Sequence, residues 1–235
     1  IKHFKERKSY LSDFSDSVMK DFVDSGGIIT NKLEFCASCT DYLIAVPTPF
    51  HSNQAPDLSY VRQAFENIKK VIKKNDLISL ESTTYPGSTR EIVNEIFCNH
   101  QYKIGIDFFV CYSPEREDPG KISDYGFKLK TIPKILGGWN TQSLEKGKEL
   151  YSLAFKTLVP VESIEMAEFT KCLENSYRAV NIGLVNELKI YANQLSIDLN
   201  KVIDAASTKP FGYKPFRPGP GLGGHCIPID PFYLS

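Results

Sequence analysis

The chain has 235 residues, of which 28 are basic and 28 acidic, so its formal net charge is zero. That balance gives no general attraction to nucleic acid or to an anionic membrane. Hydrophobic residues make up 42% of the chain without any run of membrane-spanning length, which predicts a cytoplasmic globular protein with a substantial core. The six cysteines are too sparse for a disulfide framework, and the histidines too scattered for a metal site.

Apolar segments in the first two thirds of the chain predict alternating strands and helices. Buried strands are expected at residues 42–46, 77–80 and 108–112, with a further apolar stretch at 134–136 before Gly137 and Gly138. Helices are expected at residues 16–23, 58–74, 88–97 and 141–155. This alternation is typical of an α/β protein with a Rossmann-like, doubly wound parallel sheet.

The loops that follow the first three predicted strands share small hydroxyl or charged side chains. Their segments are Val46–Pro49, Glu81–Gly87 and Tyr112–Gly120. Prolines and glycines also end strands for purely structural reasons. However, ligands of such sheets bind beyond the carboxyl ends of the strands, and three loops of this kind at one edge predict a shared ligand crevice.

A long helix is predicted over residues 163–196, because apolar residues recur there at intervals of three and four. Lys171, Asn175 and Arg178 fall on one face of it. Asparagine is a poor residue for the middle of a helix, which favours a functional role for that face. The length of the helix predicts a domain boundary near residue 160, and its apolar surface predicts a homodimer.

The segment Gly219–Pro231 crowds glycines and prolines around Cys226. Glycines allow close backbone approach to a ligand, and prolines fix the turns. A single thiol on such a loop is a candidate nucleophile. The alternative is a proline-rich turn with a buried, inert cysteine.

Taken together and in this order, these segments resemble the UDP-glucose/GDP-mannose dehydrogenase family of NAD-dependent nucleotide-sugar 6-dehydrogenases. The features that carry the resemblance are Val46–Pro49, Glu81–Gly87, Tyr112–Gly120, the helix stretch 167–187 and the run 219–234. The last run, with His225 before the cysteine, is most similar to the UDP-N-acetylhexosamine branch. The resemblance extends over essentially the whole chain.

The resemblance implies a four-electron oxidation of a sugar C6 hydroxymethyl group through a thiohemiacetal and a thioester. In that scheme Cys226 is the nucleophile, and Lys171 with Asn175 neutralises the developing oxyanion. Asp230 positions the lysine or a water, and Glu115 is the acid/base residue for thioester hydrolysis. These roles come from the family and are expectations for this chain.

The resemblance also implies binding residues. Thr48 and Thr83 are expected to contact NAD, and Thr83 also to hold a catalytic water. The expected substrate contacts are Arg116, Glu117, Lys171, Asn175, Arg178 and Gly223. The implied substrate is a UDP-N-acetylhexosamine, with UDP-N-acetylglucosamine favoured and UDP-N-acetylmannosamine or UDP-glucose as alternatives.

One family feature is expected to be missing, namely the dinucleotide fingerprint Gly-x-Gly-x-x-Gly between a strand and a helix. We therefore interpret residues 1–160 as the remainder of an NAD-binding domain and 161–235 as a central helical domain that carries the cysteine loop. The first βαβ unit and the C-terminal UDP-binding domain of the family are not expected in the chain. Such a segment by itself is expected to bind NAD poorly and to be inactive.

Two interpretations from other classes remain open. Cys226 could serve a cysteine hydrolase or transferase with a histidine, although the neighbouring His225 is poorly oriented for that role and papain-like and caspase-like signatures are absent. The long helix could also make the chain a non-catalytic dimerisation module. Dependence of any activity on NAD separates the first of these from a dehydrogenase.

Overall fold

The computed structural model describes residues 4, 6–9, 15–49, 56–116, 132–223, 227 and 230–234. The α-helices are α1 (Asp16–Asp24), α2 (Ser59–Lys69), α3 (Ser88–Phe97), α4 (Thr141–Ser152), α5 (Ile164–Gln194) and α6 (Leu199–Ala206). The strands are β1 (Asp41–Ile44), β2 (Leu77–Leu80), β3 (Phe109–Tyr112), β4 (Lys134–Gly138) and β5 (Leu158–Val161). Short 3-10 helices span Leu33–Ser38 and Asp230–Leu234.

The strands form one sheet in the order β1-β2-β3-β4-β5. β1, β2 and β3 are parallel, as the sequence predicted, so their carboxyl ends meet at one edge. β4 is an exception, because it runs antiparallel to β3 with Tyr112 opposite Gly137. β5 is parallel to β4. The fold is therefore a parallel-dominated α/β sheet rather than a fully parallel one, and the first residues of β4 lie at the carboxyl edge of β1–β3.

The core lies on both faces of the sheet. β2 and β3 are buried at every position, as expected for strands covered on both sides. Ile78 and Val110 face α2 and α3, in a cluster that also includes residues of β1 and the start of α5. Leu77 and Phe109 face the opposite side, where they pack with Tyr151 of α4. The alternation follows from the two-residue period of a strand.

The two glycines at the end of β4 allow both neighbouring helices to approach the sheet. A Cβ atom on Gly137 would lie 2.3 Å from the backbone oxygen of Ser163, the residue that caps α5. A Cβ atom on Gly138 would lie 2.5 Å from the backbone nitrogen of Leu144 in α4. The sequence suggested that these glycines follow the strand, but they lie within it. Glycine is found inside a strand where another backbone approaches closely, as two helices do here.

Several element bounds differ from the sequence prediction. α2 ends at Lys69 instead of residue 74, because the chain turns through Asn75 at a φ of 69° and the Asp76 carboxylate accepts a hydrogen bond from the Lys73 amide. The prediction missed β5 and α6 altogether. α6 begins at a side-chain cap, in which Asp198 accepts from the amide of Asn200, and that capping residue was the available signal.

α5 is a 31-residue helix whose two sides differ sharply. Its buried side includes Ile164, Ala167 and Cys172, which pack against the rest of the chain. The apolar stripe found in the sequence lies on the other side and is exposed at Met166, Phe169, Leu173, Tyr177, Val180, Leu184 and Leu188. None of the described helices combines the length and the apolar character that a membrane crossing requires.

Candidate active site

The candidate site is the carboxyl edge of β1–β3, where two of the predicted loops are tied together. The Ser82 hydroxyl after β2 accepts from the Val46 amide at 2.9 Å and donates to the Val46 carbonyl at 2.7 Å. Both bonds join the loop after β1 to the loop after β2. Thr48 and Thr83, the residues expected to contact NAD, lie within these joined loops. The edge therefore presents hydroxyl and backbone groups in a fixed arrangement.

Glu115 and Lys171 meet at this edge, although they are 56 positions apart. The Lys171 ammonium on α5 donates to the backbone oxygen of Glu115 at 2.6 Å. The Glu115 carboxylate accepts two hydrogen bonds. One comes from the backbone amide of Arg116 at 2.8 Å, and the other from the ammonium of Lys134 at 3.0 Å. Lys134 was not among the predicted site residues, because a parallel β4 would have placed it at the opposite edge of the sheet.

Asn175 and Asp230 form a buried pair one helical turn beyond Lys171. Asn175 is 4% exposed and Asp230 is 2% exposed, and the Asn175 amide donates to the Asp230 carboxylate. Three residues later, the Tyr233 hydroxyl donates to the backbone oxygen of Thr48 at 3.1 Å. The 3-10 helix 230–234 thus joins α5 to the loop after β1. Four predicted site residues lie in the same part of the molecule as Glu115, namely Thr48, Lys171, Asn175 and Asp230.

Glu168 is a fully buried carboxylate that the sequence analysis did not single out. It lies on α5 and accepts hydrogen bonds from the amides of Gly87 at 2.6 Å and Thr89 at 3.0 Å, at the start of α3. The hydroxyls of Thr84, Ser88 and Thr89 also donate to it. Burial raises the pKa of Glu168, while these donors oppose the shift. The carboxylate therefore locks the loop that carries Thr83 onto the helix that carries Lys171 and Asn175.

Arg116 is held by two partners in the structure. Its guanidinium contacts the Glu174 carboxylate of α5 at 2.5 Å, and it donates to the Pro133 carbonyl at 3.0 Å. Planar guanidinium groups suit such two-oxygen recognition. Arg116 thus connects three elements at the edge of the site, namely the loop after β3, the start of β4 and α5.

The remaining predicted residues either have a place in the described structure or lie outside the described residues. Arg178 lies on α5 two turns after Lys171, and Gly223 has a φ of 69°, which favours glycine. Asn186 of α5 anchors the glycine segment, since it contacts the Gly219 amide at 2.8 Å and the Gly221 carbonyl at 3.2 Å. Cys226, His225 and Glu117 lie outside the described residues.

The described cysteines differ in their capacity to form a thiolate. Burial raises the pKa of both Cys111 and Cys172 to about 12, and the Asp230 carboxylate raises that of Cys172 further. Neither thiol is therefore suited to act as a nucleophile near neutral pH. Within the described ranges, no group of three or more His, Cys, Asp or Glu side chains is arranged to hold a metal ion.

The residues of this edge fit only part of a dinucleotide cofactor. The joined loops after β1 and β2 offer hydroxyl and backbone groups that can hydrogen-bond a polar ligand at the carboxyl edge of the sheet. The glycine spacing of the fingerprint does occur once in the sequence, at Gly219, Gly221 and Gly224, so the spacing itself is not missing. In the described residues before Gly224, this run follows α6 and a loop rather than a strand, so it lacks the strand that precedes a pyrophosphate-binding turn.

Two family descriptions match the chain in succession. Residues 3–155 match the NAD binding domain of the UDP-glucose/GDP-mannose dehydrogenase family, and residues 165–235 match its central domain. Together the two matches extend over nearly the whole chain.

Individual proteins are similar over the same range. UDP-N-acetyl-D-glucosamine 6-dehydrogenase of Salmonella typhi is 40% identical over 208 residues, which cover 88% of this chain and 48% of that protein. Protein CapL of Staphylococcus aureus is 41% identical over 237 residues, which cover 100% of this chain and 54% of that protein. The solved structure of the UDP-D-ManNAc dehydrogenase from Pyrococcus horikoshii has a TM-score of 0.88 at 30% identity and covers 99% of this chain and 56% of that one. The chain thus spans about half the length of these relatives.

Proposed function

Because the chain belongs to the UDP-glucose/GDP-mannose dehydrogenase family, we propose that it takes part in the NAD-dependent oxidation of the C6 hydroxymethyl group of a UDP-N-acetylhexosamine. The observation that carries the proposal is the buried contact between Asn175 and Asp230. Asp230 follows Cys226 by four residues, so this contact ties the segment with the proposed nucleophile to the face of α5 that carries Lys171. The contact of Lys171 with the backbone of Glu115 adds the acid/base residue to the same neighbourhood.

The net reaction converts the alcohol, one water and two NAD⁺ into a carboxylate, two NADH and three protons. NAD supplies the hydride acceptor when bound, and Thr48 and Thr83 would hold its nicotinamide end. Lys171 and Asn175 stabilise the negative charge that develops on the C6 oxygen. Cys226 adds to the aldehyde carbon, and the thioester that follows keeps the sugar attached. Glu115 takes a proton from the water that releases the acid. Asp230 positions Lys171 or the water, and its carboxylate also accepts a hydrogen bond from Asn175.

The favoured substrate is UDP-N-acetylglucosamine, with UDP-N-acetylmannosamine or UDP-glucose as the alternatives. Support comes from the relatives: those named for N-acetylhexosamines include one at 40% identity and one at 33%. Arg116, Glu117, Arg178 and Gly223 are the proposed substrate contacts besides Lys171 and Asn175. Guanidinium groups suit a diphosphate or sugar hydroxyls.

The test is turnover by the protein as its gene encodes it, measured as NADH formed per sugar on the three UDP-sugars. We expect two NADH per UDP-N-acetylglucosamine and slower turnover of the other two. Cys226→Ser and Lys171→Met should abolish the reaction, while Lys201→Met, an exposed lysine on α6, should not change it. Activity that is independent of NAD would contradict the proposal and favour a cysteine hydrolase. Calorimetric titration of residues 1–235 alone with NAD tests the expected poor binding, and micromolar affinity would refute that part.

We also propose a division at about residue 160, into a dinucleotide-binding part and a central helical domain, and a homodimer formed through the exposed stripe of α5. The stripe includes Val180 at 69% exposure and Leu184 at 54%, and exposed apolar surface of this extent marks interaction sites. Val180→Glu with Leu184→Glu should shift the protein to monomers in sedimentation velocity. Leu153→Glu, at a position 85% exposed directly after α4, is the control. A wild-type monomer at high concentration would refute the dimer.

A further inference from the structure

We propose that Lys134 is a positioning residue for Glu115, which its ammonium holds ionised and in one orientation so that this carboxylate can take a proton from water. The inference rests on the proposed function, because it assigns a partner to the acid/base residue of that reaction. Lys134 does not itself touch the reacting atoms in this scheme. It acts through Glu115.

The burial of Lys134 is the first reason. Lysine is rarely buried without a partner, and Lys134 is 2% exposed. Its ammonium lies 3.0 Å from a carboxylate oxygen of Glu115 and 3.8 Å from one of Glu81. It also lies over the rings of Tyr151 at 5.5 Å and Phe155 at 5.3 Å. The charge is therefore held in place from several sides.

The two carboxylates around Lys134 are not equivalent. Glu81 is 17% exposed in its side chain, whereas Glu115 is 49% exposed. The Tyr151 hydroxyl donates to Glu81 at 2.6 Å and contacts Ser79 at 2.7 Å, and burial raises the pKa of Tyr151 so that it keeps its proton. Glu81 is thus a fixed counter-charge at the back of the ammonium, and Glu115 is the carboxylate that reaches toward water.

The topology of the sheet explains why Lys134 is where it is. Because β4 is antiparallel to β3 and Tyr112 pairs with Gly137, the residue three places before Gly137 lies beside the residue three places after Tyr112. These are Lys134 and Glu115. The backbone of Lys134 is fixed as well, since its amide donates to the Thr157 carbonyl at 2.9 Å.

In the part of the chain that the structure describes, the charged groups near Glu115 lie on β4, on α5, at the end of β2 and in its own loop. Lys134 of β4 contacts its carboxylate, and Glu81 lies behind that lysine. Lys171 of α5 contacts the backbone oxygen of Glu115, and Arg116 of the same loop is occupied by Glu174. Among the contacts of the described residues, that of Lys134 is made to the carboxylate itself, at 3.0 Å, and an opposite charge at this distance favours the ionised form.

The step that Glu115 serves is balanced by the groups already named. The oxygen of water forms a bond to the thioester carbon, its proton passes to the Glu115 carboxylate, and the carbon–sulfur bond breaks with the electron pair leaving on the sulfur of Cys226. A protonated Glu115 cannot accept that proton. Removing the charge at Lys134 must therefore restrict hydrolysis to higher pH.

The experiment compares Lys134→Met, Lys134→Arg and Glu81→Gln with wild type in the protein as its gene encodes it. We expect Lys134→Met to move the acid limb of the pH profile of kcat up by about one pH unit, so that turnover on that limb falls about tenfold. Lys134→Arg should restore the wild-type profile. Glu81→Gln removes the competing carboxylate and should move the limb to lower pH. Lys148→Met, which leaves Glu145 of α4 without its partner at 2.7 Å, is the matched control and should leave the profile unchanged.

A second measurement separates this inference from the proposed function. Carbon-13 NMR follows the titration of the Glu115 carboxyl group, whose signal is assigned by its loss in Glu115→Gln. Its midpoint should rise in Lys134→Met and fall in Glu81→Gln. If wild type turns over no UDP-sugar, the proposed function fails and the NMR titration still decides the role of Lys134. If wild type is active but Glu115 titrates with the same midpoint in both variants as in wild type, the role of Lys134 is refuted. If Lys134→Met does not fold, the midpoint in Glu81→Gln alone decides.

Discussion

Glu168 offers the sharpest test of how the site is held together. One of its carboxylate oxygens accepts four hydrogen bonds, from the Thr89 amide and from the hydroxyls of Thr84, Ser88 and Thr89. The other oxygen accepts only from the Gly87 amide, at 2.6 Å. In Glu168→Gln the carbonyl oxygen can keep the four bonds, but the new amide group then points its N–H donors at the Gly87 N–H.

The magnitude follows from that count. A lost hydrogen bond to a charged group is worth about 1.5–3 kcal/mol, and the favourable charge at a helix start adds about 0.3–1 kcal/mol. The release of a buried charge offsets part of this loss. We therefore expect Glu168→Gln to destabilise the protein by about 2 kcal/mol at neutral pH, which lowers Tm by about 4–8 °C. Glu168→Ala leaves all the donors without an acceptor and should cost about 3–5 kcal/mol.

The assay combines thermal unfolding with hydrogen exchange of the Gly87 and Thr89 amides, which should exchange faster in Glu168→Gln. The matched control is Glu165→Gln, one turn earlier on the same helix, whose ion pair with Arg90 of α3 is about a third exposed and is worth about 0–1 kcal/mol. Equal Tm values for the two variants, with unchanged exchange at Gly87 and Thr89, would refute the reasoning. Because burial raises the pKa of Glu168, ionising this group disfavours folding as the pH rises through the raised value. The stability advantage of wild type over Glu168→Gln should therefore decrease from acid toward neutral pH.

The remaining predictions concern charge, close approach and thiol reactivity. The hydrogen bond from Arg90 lowers the pKa of Glu165. The stability that Glu165 adds is therefore present above the ordinary carboxyl pKa and is lost as the pH falls through the lowered pKa. The free energies of unfolding of Glu165→Gln and wild type should converge in acid. Gly137→Ala should lower the free energy of unfolding by about 2–4 kcal/mol, since its Cβ would lie 2.3 Å from a backbone oxygen. In Gly183→Ala the new Cβ meets nothing within 4 Å, so the free energy of unfolding should rise by up to about 1 kcal/mol. Equal urea midpoints of the two variants would contradict this contrast. Alkylation of the native protein at pH 8, followed by mass spectrometry, should spare Cys111 and Cys172, whose pKa values of about 12 leave almost no thiolate, and label the exposed cysteines.

Local patterns were enough to identify most of the elements. α3 begins and ends where its apolar spacing predicted, and β2 does so as well. The loops after β1, β2 and β3 meet at one edge because parallel strands leave no other arrangement. α6 was missed although its capping residue was visible, and β5 was missed because its short sequence, with a proline inside, gives little strand signal.

The chemistry of single residues and the fold class were determined by the sequence, since residue type, spacing and order along the chain are local properties. Only the tertiary structure decided which of those residues meet. The antiparallel direction of β4 brought Lys134 to Glu115, and the buried carboxylate of Glu168 fixed α5 against the start of α3. Contacts of this kind join residues far apart in the chain, and they depend on strand direction and on the burial of charge, neither of which leaves a periodic trace in the sequence.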